Sequence, residues 1–458
     1  MMQASLSPPR QDETSSPSGA VIVGGGISGL SLAILLAEQG IKVRVLEKRP
    51  DPRVAYQEGR TINFTLSGRG RRVLERLGLA ERALAAAVRM ESRVVHLPGG
   101  GQVAQSYGGA AQLLYALKRR DLIIALLDRA LASPGVQVEF NVTLDELSPG
   151  GELRFRRQNG ASARLSPAFI VGADGVHSWV RGALGAREAV SVEQHTFSHG
   201  YAELTISQGD GRRLGISAQA LHVWPGRRSA LVAIPNVDGS FSCCFIVESG
   251  VGVDALEAAF HADFPALYRA SGSLRDSARS ARYSALVRTR VSTWNSGDLL
   301  VLVGDACHAV YPFFGQGMNA ALEDALVLST ALGRHPSDRR RAFAEYHAAQ
   351  KPNADALDEL SIGHFDYLKV HAASARVHGR QLINAALQRL LPSLWHHEYA
   401  LVAHSDLPYA EARRIIQRQA ALRSALGLTV VERILAGAIT GVRWLRRPAP
   451  AKRSSHES

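Results

Sequence analysis

The chain has 458 residues, a formal charge of +12 and three cysteines. Its length exceeds one ordinary core, so two joined domains with an appendage are expected, and Cys243, Cys244 and Cys307 have neither metal nor disulfide-framework spacing. The cysteine pattern argues for no metal and a reducing, cytoplasmic setting, and the basic clusters Arg339–Arg341 and Arg443–Arg453, which stand without a nucleic-acid motif, for a solvated surface and no nucleic-acid partner.

Residues 1–18 are polar, rich in Ser and Pro, and read as a disordered lead-in without an apolar signal core. An apolar strand, Ala20–Val23, runs into Gly24-Gly-Gly26-Ile-Ser-Gly29, then a helix pattern from Leu30 to Gln39 and a second strand from Lys42 to Leu46, ending in Glu47. This is a dinucleotide-binding unit. Gly24 serves the tight turn, Gly26 the approach of a pyrophosphate, Gly29 close helix–strand contact, and Glu47 the hydroxyls of an adenosine ribose. The unit continues to about residue 80 and includes the turn Gly59–Asn63. A strand over Met90–Leu97 leads to Pro98–Gly101, which reads as a hairpin turn because no helix follows it. Leu113–Leu131 reads as strand then helix with Arg119 near the join, and Val136–Asn141 and Phe169–Val171 are further strands, the last leading into Asp174-Gly175.

The pattern then changes. Residues 219–247 read as two strands joined through Asn236-Val-Asp-Gly239, so an antiparallel sheet is inserted within the cofactor domain. The strand Leu299–Val303 follows, then Gly304–Asn319, then a helix from Asn319 to about Leu332. Glycines at this joint bring bare N–H groups and a helix N-terminus against something flat and electron-rich, a flavin-facing loop. Beyond it the chain is mostly helical in pattern, broken by Pro392 and Pro408. Leu426–Leu445 contains Glu432, Arg433 and Arg443 and is a poor spanning helix. It reads as a cap on the fold or, with the basic tail, as a weak peripheral contact with an anionic membrane.

The expected architecture is α/β. A discontinuous Rossmann-like FAD-binding domain covers 19–190 and 291–345, with 85–110 contributing to the substrate side. A substrate-binding antiparallel β-sheet domain covers 191–290, a C-terminal helical region 346–445, and a basic disordered tail 446–458.

Gly24–Gly29, the Asp174-Gly175 segment and Gly304–Asn319, in that order, resemble the class A FAD-dependent aromatic monooxygenases, whose founding fold is that of p-hydroxybenzoate hydroxylase. Within that family, Gly59–Ser67, His199–Leu204, Leu221–Pro225, Ile234–Phe241 and Pro312–Asn319 resemble the kynurenine 3-monooxygenases, with similarity from about residue 19 to 415. The resemblance implies that NADPH (or NADH) visits transiently to reduce FAD, that O2 adds to give a flavin C4a-hydroperoxide, and that an aromatic ring is hydroxylated. It implies no side-chain acid or base, the loop Pro312, Phe313, Phe314 and Gly315 lying at the reacting face. Cys307 reads as a small apolar residue and His308 as a packed histidine.

By position the resemblance assigns Gly24, Gly26, Gly29, Glu47, Arg119 and Asp305 to FAD, and Gly315, Gly317, Met318 and Asn319 to the isoalloxazine. Asp174 and Gly175 match a fingerprint for pyrophosphate and pyridine nucleotide. Substrate contacts fall on Arg93, Tyr107 and Tyr399, with Leu221 and Cys244 in the wall. His364 stands where the family has Asn, and Ala230 and Ile246 stand where kynurenine enzymes carry Met and Phe. Arg93 suits an amino-acid carboxylate. The expected substrate is therefore L-kynurenine or a substituted arylamine of that type. The alternatives are a hydroxylase or epoxidase of another aromatic metabolite, a reductase without oxygen insertion, and more distantly a flavin-binding regulatory protein.

Overall fold

The computed structural model describes residues 19–55, 63–97, 100–107, 113–252, 255–366, 375–391 and 393–428, with 431 and 434. The expected lead-in, most of the turn before Asn63, Pro392, most of the candidate amphipathic segment and the basic tail lie outside the described residues.

Ala20–Val23 has no polar face, and it is buried on both sides within a six-stranded sheet. The order is Asn295–Ser296, Leu300–Leu302, Phe169–Gly172, Ala20–Val23, Val43–Leu46 and Val136–Glu139, parallel except for the first pair. The helix Ile27–Glu38 buries nearly all its apolar residues between this sheet and the helix Gly317–Arg334. A three-stranded meander, Thr143–Leu147, Leu153–Arg156 and Ser162–Leu165, follows the sixth strand and was not foreshadowed by the sequence pattern.

The second large sheet has seven strands in the order Tyr283–Val291, Val192–Ile206, Phe241–Glu248, Ala230–Pro235, Ala220–Pro225, Ser92–His96 and Gln102–Ser106. Neighbours are antiparallel except Ala220–Pro225 beside Ser92–His96, which run parallel. Three strands, not the predicted two, fill residues 219–247. Pro225 and Gly226 end the first, and a turn closed by the Gly226 N–H on the Ser229 carbonyl (2.9 Å) starts the second ahead of the predicted hairpin. The predicted strand Met90–Leu97 also divides, because Ala87–Met90 pairs with Leu114–Leu117 in a separate small sheet.

Alternation along these strands gives the seven-stranded sheet two apolar faces. On one, Leu204, Leu231, Cys243 and Phe245 form a core with Phe260 and Phe264 beneath the helices Leu256–Asp263, Pro265–Ala270 and Gly272–Ser280. On the other, Val223, Ala230 and Ile246 meet Tyr311 and Phe313 of the Gly304–Asn319 segment. Four helices, Arg339–Asp366, Ala375–Leu390, Glu398–Ala403 and Tyr409–Ala425, complete the described chain. Pro408 stands before the last of them, as its breaking role predicts, whereas Pro352 is accommodated inside the first. The expected combination of a parallel α/β sheet, an antiparallel sheet and a C-terminal helical region is thus the observed one. Among the described residues no helix is long and apolar enough to cross a membrane, and no cluster of three or more metal-ligating side chains occurs.

Candidate active site

The glycine turn is built where the first two parallel strands end. Glu47 is buried there and accepts from the Gly25 N–H (2.7 Å) and the Arg49 N–H (2.9 Å), which fixes its carboxylate against the turn. At Gly29 a Cβ would lie 2.0 Å from the Gly24 carbonyl oxygen, so only hydrogen fits between helix and strand. At Gly26 nothing stands within 4 Å of a Cβ position, leaving open space above the N-terminus of Ile27–Glu38. This cradle fits the pyrophosphate of FAD. Arg119 opens the helix Arg119–Leu131 with its guanidinium 5.4 Å from the Phe64 ring, and Asp305 is exposed at the start of the turn Asp305–His308.

Asp174 is differently disposed. Its carboxylate accepts from the Ser178 hydroxyl, the Trp179 N–H (2.7 Å) and the Val180 N–H (3.1 Å), capping the helix Trp179–Gly185 just after Gly175. Burial raises its pKa against the pull of these bonds. The side chain is therefore engaged within its own turn. Arg181 carries that turn to the next segment by donating to the Ala306 and Val176 carbonyls, both at 2.9 Å.

The Gly304–Asn319 segment is braced at both ends. At its start, one Asp324 carboxylate receives the Gly304 N–H (3.0 Å), His308 Nε2 (2.5 Å) and Gln350 Nε2 (3.0 Å). Burial works against the His308 imidazolium, but the Asp324 charge outweighs it and holds the pKa well above the ordinary value. Cys307 is packed beside them with its thiol on the Gly304 carbonyl (3.3 Å), and burial pushes its pKa up. At the other end Pro312–Phe314 form one 3-10 turn, and Gly315 follows at φ 66°, where a Cβ would stand 2.3 Å from Thr65 Oγ1. Asn319 donates to the Thr65 (3.0 Å) and Gly315 (3.2 Å) carbonyls and accepts from the Ser67 N–H (3.1 Å). Its amide thus braces the loop. What Gly317, Met318 and Asn319 leave for a cofactor is the N-terminal backbone of the helix Gly317–Arg334.

The substrate candidates come from distant parts of the chain. Arg93 is buried, donates to Gln105 Oε1 (3.2 Å) and lies 5.4 Å from the Tyr399 ring. Tyr399 stacks on Tyr107 (5.4 Å) and on Phe314 (5.6 Å). Burial raises the Tyr107 pKa, with Tyr399 adding to it and Arg93 opposing. Burial also pushes Tyr399 up to about 12 against the same arginine. Both phenols therefore stay neutral hydroxyl donors, and with a guanidinium they form a set suited to a carboxylate. Leu221 is the cross-strand partner of Arg93, Ala230 that of Ile246, and Cys244 sits on the same face. The Cys244 thiol is pushed up to about 12 by burial and by the Glu203 charge, so it is a wall residue and not a nucleophile. His364 belongs to the helix Arg339–Asp366, and its side chain lies outside the described residues.

Two features were missed by the sequence reading. Tyr311 closes the aromatic side of the chamber against Phe197 and Phe313, its hydroxyl bonded to His195 Nδ1 (2.9 Å), and an aromatic residue just before Pro312 was the available signal. A cavity of about 300 Å³ adjoins Arg93, Phe314 and Tyr399 and is otherwise walled by C-terminal helices, through Glu359, Arg380 and Arg413. Charged residues at helical spacing gave no hint of a cavity.

Residues 18–360 match the model of a family described as an FAD binding domain. Kynurenine 3-monooxygenase from Salinispora arenicola (strain CNS-205) is 39% identical over 94% of this chain and 98% of its own length. The enzyme of that name from Salinispora tropica is 38% identical over 87% of this chain and 91% of its own length. Among solved structures, the tetrameric form of 2-methyl-3-hydroxypyridine-5-carboxylic acid oxygenase superposes with a TM-score of 0.66 at 25% identity, covering 85% of this chain and 96% of that one.

Proposed function

The chain belongs to the class A FAD-binding aromatic monooxygenases, and from that membership we propose that it hydroxylates L-kynurenine or a ring-substituted kynurenine-like arylamine, with NAD(P)H as reductant and O2 as co-substrate. The observation that carries the choice of substrate is the grouping of Arg93, Tyr107 and Tyr399 beside Phe314. Bound FAD supplies the redox chemistry and delivers the oxygen atom. The chain supplies position and charge. Arg93 pairs with the amino-acid carboxylate, and the two neutral phenols donate to its remaining lone pairs. The chamber formed by Leu221, Ala230, Ile246 and Phe313 holds the ring in a dry, apolar space. The N–H groups at the start of Gly317–Arg334 favour negative charge on whatever faces them. Ala230 and Ile246, smaller than the Met and Phe that the kynurenine enzymes carry there, support a ring bearing substituents.

Stimulation of NAD(P)H oxidation by L-kynurenine and its ring-substituted analogues, with the mass of each product, tests the proposal. The product is expected to gain one oxygen atom. Arg93→Ala is expected to raise KM about 10- to 100-fold, since a charged hydrogen bond contributes about 1.5–3 kcal/mol, while the protein stays yellow. Failure of every such arylamine to stimulate oxidation, or loss of flavin from that variant, sinks the reading.

A further inference from the structure

The cavity beside Arg93 and Tyr399 is lined by three arginines, Arg93, Arg380 and Arg413, and by two acids, Glu359 and the exposed Glu398. Arg413 is paired with Glu359 Oε2 (2.7 Å), and Arg93 is the residue assigned above to the amino-acid carboxylate. Arg380 is half-buried, and among the described residues it makes no hydrogen bond or ion pair. Asn384, one turn along the same helix, is occupied by Trp395 Nε1 and the Arg423 guanidinium, both at 3.3 Å, and is no acid in any case. His397 lines the same space, but burial and the nearby Arg93 charge lower its pKa, so it is a neutral neighbour at neutral pH. A half-buried guanidinium that lines a cavity without a protein partner leaves its fork of donors free for an anion.

Resting on the substrate reading above, we propose that the part of the cavity at Arg380 is a second anion subsite. The substrate it serves is an arylamine amino acid whose α-amino end is extended by a second acidic group, as in an N-acyl derivative with a terminal carboxylate. Arg93 then takes the α-carboxylate and Arg380 the distal one. The ring stays in the apolar chamber, and the extension lies between the helices Arg339–Asp366, Ala375–Leu390 and Tyr409–Ala425.

The test compares L-kynurenine with N-succinyl-L-kynurenine on the FAD-loaded protein, as wild type, Arg380→Gln and Arg380→Lys. The wild type is expected to favour the succinyl compound at least tenfold in kcat/KM, chiefly through KM. Arg380→Gln is expected to reduce the ratio between the two compounds tenfold or more, and Arg380→Lys to keep most of it. A merely structural or entry role for Arg380 slows both compounds alike and leaves the ratio unmoved, which overturns the proposal. Turnover of L-kynurenine without preference for the succinyl compound overturns it alone. If neither compound accelerates NAD(P)H oxidation, the substrate reading falls with it.

Discussion

Asp324 joins three parts of the chain through one carboxylate, and its pairing with His308 makes stability depend on pH. The folded-state pKa of His308 is held above its ordinary 6.5. The contribution of the pair is therefore fully present below that ordinary value and is lost as pH rises through the raised folded value. Urea denaturation of the FAD-loaded protein at a series of pH values is expected to show this alkaline decline in the wild type and not in Asp324→Asn. That variant is also expected to lose about 1.5–3 kcal/mol near neutrality, because the charge-assisted hydrogen bond goes and burial then leaves His308 neutral. Identical pH profiles for the two proteins exclude the pair as the cause. The sequence marked His308 as a packed histidine because the chemistry needs no base there. Its partner was not legible, since Asp324 reaches it only once the helix Gly317–Arg334 has folded back over the turn.

Phe245 and Ile246 are neighbours in one strand that serve opposite faces of the seven-stranded sheet. Phe245→Ala opens a cavity among Phe260 and Phe264 and is expected to cost about 3–5 kcal/mol in chemical denaturation, with substrate KM little changed. Ala230→Met, opposite Ile246, instead fills the chamber. It is expected to lower kcat/KM for ring-substituted arylamines more than for L-kynurenine, and equal losses for both would remove Ala230 from the wall. Such faces are readable in part from sequence. Ala20–Val23 declared itself by an unbroken apolar run, and the glycine spacing after it by what a Cβ would strike. The boundary at Pro225–Gly226 escaped because the strands on either side are equally apolar, so the run looks continuous until the turn is seen. The cavity walled by the C-terminal helices escaped for the opposite reason. Their arginines and glutamates fit an exposed face as readily as a cavity wall, and only tertiary contact decides between them.

At the scale of the molecule, the residues assigned to FAD come from opposite ends of the cofactor domain, Gly24–Glu47 and Asp305–Asn319, and the cofactor would bridge them. Calorimetry of the flavin-stripped and reloaded protein is expected to give a higher Tm with FAD, by the equivalent of about 2.7 kcal/mol at a hundredfold excess over Kd. An unchanged Tm would show that the folded chain does not bind FAD. The same discontinuity bears on how the protein is made. Phe169–Gly172 is buried at all four positions and lies between Ala20–Val23 and Leu300–Leu302. During synthesis its first partner is already present, but its second emerges only after the whole inserted sheet. The nascent chain therefore carries an open, apolar strand edge through that interval, when a chaperone must shield it or a neighbouring nascent chain can pair with it.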